Sequence, residues 1–113
     1  MSIETFVSGF PRVGANREYK WAVEKYWRNE ISEEDLYKTI DQVIIEGWQV
    51  QKNSLINRQL VGDFSFYDQV LDTITHLGIP LKRFGYISFN EIESYFTAAR
   101  GGSINGIKEL PLE

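Results

Sequence analysis

The 113 residues suit one domain with a modest core, and 42% apolar with 14% aromatic content excludes a disordered chain. A net charge of −4 without a basic stripe argues against nucleic-acid binding, and apolar runs of only a few residues argue against a membrane span. The absence of cysteine removes disulfides, thiol nucleophiles and Cys-type zinc sites, and the one histidine, His76, cannot build a histidine metal site within one chain.

The N-terminus lacks the basic, then apolar, then small-residue pattern of a signal peptide, so a cytoplasmic protein is expected. Ile3, Thr5, Phe6 and Val7 form a β-prone run, and a strand is predicted near residues 3–8. Gly9, Pro11 and Gly14 then break the pattern, which predicts a loop over 9–15. Asn16 is a suitable N-cap for a first helix with an apolar face of Tyr19, Ala22, Val23, Tyr26 and Trp27. Asn29 and Glu30 end it. Ser32, with Asp35 three residues on, opens a second helix whose buried stripe is Leu36, Ile40, Val43, Ile44 and Trp48, with Gly47 tolerated at a small cost.

Residues 58–61 read as a second short strand, closed by Gly62. Asp63 or Ser65 can cap a third helix carrying Phe66, Val70, Leu71 and Ile74, which ends at Gly78 before Pro80. Residues 79–87 read as a loop. Ser88 with Glu91 makes a capping box for a fourth helix carrying Phe89, Ile92, Tyr95 and Phe96, and the glycines from Gly101 onward mark 101–113 as a flexible tail. Two strands joined by a long helical crossover must run parallel and right-handed. Because parallel strands are normally covered on both faces, the pattern alone points to a piece of a larger α/β architecture.

Gly9-Phe10-Pro11-Arg12-Val13-Gly14 followed by Asn16-Arg17-Glu18-Tyr19-Lys20 resembles the cobalamin-independent methionine synthase family, whose pattern runs G-F-P-R-x-G-x-x-R-E-L-K. Tyr19 departs from the usual leucine. The likeness continues through Tyr26-Trp27, Trp48 with Gln51-Lys52, the run Val61 to Asp68, Pro80, Arg83-Phe84, and Tyr95-Phe96 leading to Ala99-Arg100-Gly101. Each motif is weak, but the ordered series is specific and covers nearly the whole chain.

The resemblance implies an α/β fold: a helix-rich fragment of a (β/α)8 barrel, with two short parallel strands and about four helices, forming part (1–113) of the family's N-terminal domain. It implies a transferase moving a methyl group from 5-methyltetrahydropteroyl-triglutamate to homocysteine, giving methionine. It places zinc and homocysteine in a C-terminal barrel outside this chain, which by itself needs no cofactor and is expected to be inactive. It assigns the folate's polyglutamate tail to Arg17, Glu18, Tyr19 and Lys20. A further tail-binding lysine belongs to a segment beginning E-M-x-K-W-F, and the chain stops at Leu112-Glu113, where that segment is expected to start.

The local chemistry agrees in part. The start of a helix offers unpaired N–H groups and a positive dipole end, and Arg17 and Lys20 add charge suited to carboxylates. The plain alternative for both is a solvated helix face. Glu18 cannot attract a carboxylate and is expected to orient a cation, while Tyr19 falls on the apolar stripe. Arg12 could line the same loop or form a local salt bridge. Asp63 and Asp68 could serve as paired acid–base carboxylates, but capping and surface roles suit them better. Tyr26, Trp27, Trp48, Phe66, Tyr95 and Phe96 read as core aromatics, and His76 as a surface histidine favoured by a helix C-terminus. Two open-edged strands, with Phe6, Val7, Leu60 and Val61 bare, predict self-association of the fragment. A stand-alone interaction module, or a truncated relic of the enzyme, is the alternative reading.

Overall fold

A computed structural model describes residues 2–80 and 91–101. Among them are four helices, α1 (Glu18–Trp27), α2 (Glu33–Asn53), α3 (Gln69–His76) and α4 (Ile92–Arg100). They fall into two compact units, Met1–Phe64 and Ser65–Glu113.

In the first unit α1 packs on α2. Tyr19, Ala22 and Val23 of α1 are buried, as are Leu36, Ile40 and Val43 of α2, which are the spacings the sequence predicts. Leu36 is fully enclosed, worth ~1.5–3 kcal/mol relative to exposure. The stripe on α2 fades toward its end: Ile44 is half-buried and Trp48 is 40% exposed, so Trp48 is not a core residue. α2 starts as expected, with Ser32 Oγ accepting the Asp35 N–H at 3.1 Å. α1 does not. Its N-cap position is Arg17 in the left-handed region (φ 61, ψ 31), with no side-chain cap bond, instead of Asn16.

The two predicted strands reduce to a single parallel bridge between Phe6 and Arg58. Around it Asn57 and Arg58 both donate their N–H to the Thr5 carbonyl at 3.1 Å, and the Asn57 side chain accepts the Thr5 N–H at 2.9 Å. Glu4 pairs with Arg58 beside them. The direction is the expected one, but no ladder extends from it among the described residues. The reason is physical: Ile3, Phe6 and Val61 are 85%, 70% and 67% exposed, and Val7 and Leu60, expected to be bare, are only half-buried, so neither segment has a fully covered face to hold it extended.

In the second unit the core is Leu71 of α3 with Ile92, Tyr95 and Phe96 of α4. Phe66 stacks against Tyr95 at 5.1 Å between centroids and against Phe96 at 5.3 Å. The cap of α3 is Asp68, whose Oδ1 accepts the Leu71 N–H at 2.8 Å, and not Asp63 or Ser65. Phe66 therefore lies ahead of the helix, and Val70, predicted to be buried, is 68% exposed on its outer side. α4 begins after Glu91, which makes no side-chain cap bond. Ser88 and Phe89 of the predicted capping box and helix lie outside the described residues, as do Arg83, Phe84, loop residues 81–87 and tail residues 102–113.

Candidate functional site

Because Phe6 and Arg58 bridge in parallel, the chain leaves both on the same side of the first unit. Residues 10–12 and 62–64 meet there over α2 and enclose a cleft of about 210 Å³, lined also by Val43, Gly47, Trp48 and Gln51. Three contacts shape it. Asp63 Oδ2 accepts the Phe10 N–H at 3.1 Å, joining the two loops. Gln51, buried on α2, accepts the Leu60 N–H at 3.1 Å. The Phe10 ring lies on Gly47, where an added Cβ would stand 3.1 Å from the ring, so this glycine makes room for an aromatic. Arg12 and Trp48 line the cleft, which gives Trp48 a place the core assignment missed.

The loop then runs into α1 through a tightly bonded turn. Arg17 donates its N–H to the Gly14 carbonyl at 3.3 Å, and Tyr19 donates to the Val13 carbonyl at 3.1 Å. The Glu18 side chain folds back. Its Oε2 accepts the Asn16 backbone N–H at 3.0 Å, and Oε1 accepts the Asn16 side-chain amide at 3.3 Å. Hydrogen bonds from its own N–H, then from that of Asn16, hold the Glu18 carboxyl below the usual carboxylate range. Gly14, at φ 85, lies beneath: a Cβ there would fall 2.1 Å from Glu18 Oε2.

The four residues assigned to a ligand tail thus divide. Tyr19 is buried, with its ring 5.3 Å from that of Phe64, so its side chain serves packing. Glu18 is engaged by its own turn and orients backbone, not a neighbouring cation. Arg17 is exposed and makes no ion pair among the described residues. Lys20 is exposed one turn on, 3.7 Å from Glu24 and 5.2 Å from the Trp21 ring centroid. Such surface contacts are worth ~0–1 kcal/mol each, so an incoming anion can displace them. The amides expected to greet an anion at the helix start are in part already taken by Glu18. What remains is a pair of exposed cations on a fixed turn, suited to carboxylates by charge and not by enclosure.

A hydrogen-bond cluster that sequence reasoning passed over lies in the second unit. The Tyr95 hydroxyl accepts the N–H groups of Tyr67 at 3.1 Å and Asp68 at 3.0 Å, and donates to Asp72 Oδ1. Asp72 Oδ2 in turn accepts the Phe66 N–H at 2.9 Å. Burial, followed by Asp72, pushes the phenol pKa well above the usual tyrosine range, so the hydroxyl stays protonated. Asp63 and Asp68 each have a structural partner, the Phe10 N–H for one and the Leu71 N–H for the other. His76 closes α3 as an exposed residue, as read from its position. Among the described residues no group of three or more His, Cys, Asp or Glu could hold a metal ion, and no helix is long and apolar enough to cross a membrane.

The described residues are helix-rich, with one isolated parallel bridge and a cationic turn beyond it, and sequence comparison supplies the family. Residues 4–111 match the family model described as the cobalamin-independent synthase, N-terminal domain, and the chain belongs to that family. It is similar to the 5-methyltetrahydropteroyltriglutamate–homocysteine methyltransferase of Lactococcus lactis subsp. cremoris, at 40% identity over 109 residues covering 95% of this chain. The proteins of the same description from Thermosynechococcus vestitus and Coxiella burnetii are 44% identical over 101 residues and 40% identical over 105. The chain spans only 13–14% of the length of these relatives.

Proposed function

We propose that the chain is the folate-tail side of a methyltransferase that carries a methyl group from 5-methyltetrahydropteroyl-triglutamate to homocysteine, forming methionine. The observation that carries this reading is the exposed Arg17–Lys20 pair on a rigid turn beyond the parallel bridge. In a (β/α)8 barrel that end of the strands is where ligands bind. A triglutamate tail offers several carboxylates, which Arg17 can hold in two-point fashion and Lys20 as a point charge. In this reading residues 1–113 are part of an N-terminal barrel domain of a cytoplasmic enzyme. Zinc and homocysteine belong to a C-terminal barrel that these residues do not include.

Isothermal titration with the triglutamate and monoglutamate forms of 5-methyltetrahydrofolate tests the tail contact. The triglutamate form should bind more tightly, and added salt should erode the difference. In a full-length enzyme carrying this segment, Arg17→Ala or Lys20→Ala should raise the folate requirement about fivefold, the equivalent of ~1 kcal/mol, and spare the homocysteine requirement. Unchanged folate dependence in both variants would remove the assignment. Supplied with zinc, homocysteine and methylated folate, the isolated chain should form no methionine; zinc-dependent turnover by the pure chain would refute the division of labour.

One observation favours a second property, self-association of the isolated chain. Ile3, Phe6, Leu55 and Val61 are 85%, 70%, 85% and 67% exposed on the segments around the bridge. A second copy covering them would remove apolar surface from water and offer partners to unpaired backbone groups. Sedimentation at micromolar concentration should show a dimer; a stable, cooperatively folding monomer would eliminate the idea.

A further inference from the structure

We propose that Glu18 is a positioning residue for the anion contact: its carboxylate fixes the Gly14–Arg17 turn so that Arg17 and Lys20 face a ligand that Glu18 itself does not touch. The proposal rests on the reading of Arg17 and Lys20 as the tail contact. A carboxylate between two cations is a poor neighbour for a polyanion by Coulomb's law alone. The geometry accounts for its presence. Glu18 reaches back over Arg17 to the Asn16 N–H at 3.0 Å and to the Asn16 side-chain amide at 3.3 Å. It thereby brackets the one residue of the turn with φ 61, a conformation that a non-glycine side chain keeps only when its surroundings impose it. Gly14 is the complement of this arrangement. At φ 85, with Glu18 Oε2 only 2.1 Å from where its Cβ would stand, no other residue leaves the carboxylate its place.

The consequence separates positioning from simple electrostatics. Removing a negative charge beside an anion site should strengthen binding if charge alone matters. If Glu18 holds the turn, removing it should weaken binding, because Arg17 must then be ordered at the ligand's cost. The experiment is titration of the chain with a tri-γ-glutamate folate, alongside amide hydrogen exchange at Asn16 and urea unfolding of each variant. Glu18→Ala should weaken triglutamate binding about fivefold and unprotect the Asn16 amide. Glu18→Gln, which keeps one acceptor oxygen, should lie between it and the wild type. Gly14→Ala, with the Glu18 charge intact, should behave like Glu18→Ala. Gly78→Ala is the control for backbone strain: its φ is 65 with open space around the Cβ, so it should cost stability and leave binding unchanged.

Equal or tighter triglutamate binding by a folded Glu18→Ala chain overturns the proposal, as does a Gly14→Ala chain with unaltered binding. If the wild type shows Asn16 protection but no preference for triglutamate over monoglutamate, the tail-contact reading has failed instead. Glu18 is then a structural cap and its positioning role falls with that reading.

Discussion

α2 begins on Ser32, whose hydroxyl accepts the Asp35 N–H, whereas α1 begins on Arg17 in the left-handed region with no side-chain cap bond. Both starts belong to the first unit, and both must satisfy backbone donors that have no partner inside the helix. At α2 the capping side chain is small and the turn serves only the helix. At α1 the task falls to Glu18 folding back on Asn16, which leaves Arg17 and Lys20 pointing their charge at solvent. Where a conventional cap would be sufficient for stability and an unconventional one is used instead, the deviation is the kind expected at a functional or strained site, in keeping with the proposed tail contact. The start of α3 lies between these cases: Asp68 caps it in the ordinary way, and the Tyr95 hydroxyl from α4 adds two further bonds.

The largest effect should come from α3, where the starting turn is also the core. Tyr95→Phe keeps the ring among Phe66 and Phe96 but strips the acceptor from the Tyr67 and Asp68 N–H groups. Leaving such donors unsatisfied costs ~1–3 kcal/mol. Urea unfolding followed by circular dichroism should show that loss, and amide exchange should speed up at Tyr67 and Asp68. The phenol also gives a pH signature. Its pKa is raised on folding, so its contribution is complete below the ordinary tyrosine pKa of about 10 and is lost as pH rises toward the folded value. Tyr95→Phe should therefore flatten the alkaline side of the stability profile. An unaltered profile would show that the hydroxyl is not the hub of this turn.

A smaller effect sharpens the contrast between α1 and α2. Ser32→Ala removes an ordinary cap and should cost ~1 kcal/mol of stability. It should leave triglutamate binding where it was. Glu18→Ala should show the reverse emphasis, with binding hurt more than stability. If Ser32→Ala weakens tail binding as much as Glu18→Ala does, the two starts do not differ in function, and the binding loss reports unfolding alone.

The same contrast explains what could be read from the residues. The Leu36–Ile40–Val43 stripe and the Ser32 cap were legible because a 3.6-residue period and a small hydroxyl before it have one common structural meaning. Asn16 misled for a related reason: it has the composition of a cap, but its backbone N–H and its side-chain amide both donate to Glu18 two residues on, and the cap position falls on Arg17. Asp63 and Ser65 looked like caps of α3, whereas Asp68 takes that role and Asp63 ties Phe10 across the first unit. Strand propensity at residues 3–8 and 58–61 was real but insufficient, since a pair of segments with bare faces gains too little from pairing to extend past one bridge. Of the four residues assigned to the tail, Arg17 and Lys20 are exposed, one at the N-cap position and one in the first turn of α1. The burial of Tyr19 and the engagement of Glu18 depend on Phe64 and Gly14, which no local pattern links to them.

The smallest expected effect concerns left-handed residues at helix ends and tests whether Arg17 is strained for a purpose. Two residues past the ends of α1, α2 and α3 stand Asn29 (φ 58), Leu55 (φ 59) and Gly78 (φ 65). In each the following amide returns to a carbonyl of the last turn, as in Glu30 to Lys25 at 2.9 Å and Ile79 to Ile74 at 3.1 Å. Asparagine and glycine suit that conformation, but leucine does not, and Leu55 is 85% exposed, so its side chain adds little packing. Relief of ~1–2 kcal/mol of steric cost, set against ~0.5–1 kcal/mol for the greater freedom of an unfolded glycine, predicts that Leu55→Gly stabilises by roughly 0.5–1 kcal/mol. Arg17→Gly at φ 61 should gain by the same reasoning, and so raise the urea midpoint. It should at the same time lose the preference for triglutamate, which Leu55→Gly should keep. A chain that becomes more stable as it becomes less able to bind would identify Arg17 as strain retained for the ligand. An Arg17→Gly variant that binds as well as the wild type would show instead that the side chain is idle, and that the left-handed turn needs no function to explain it.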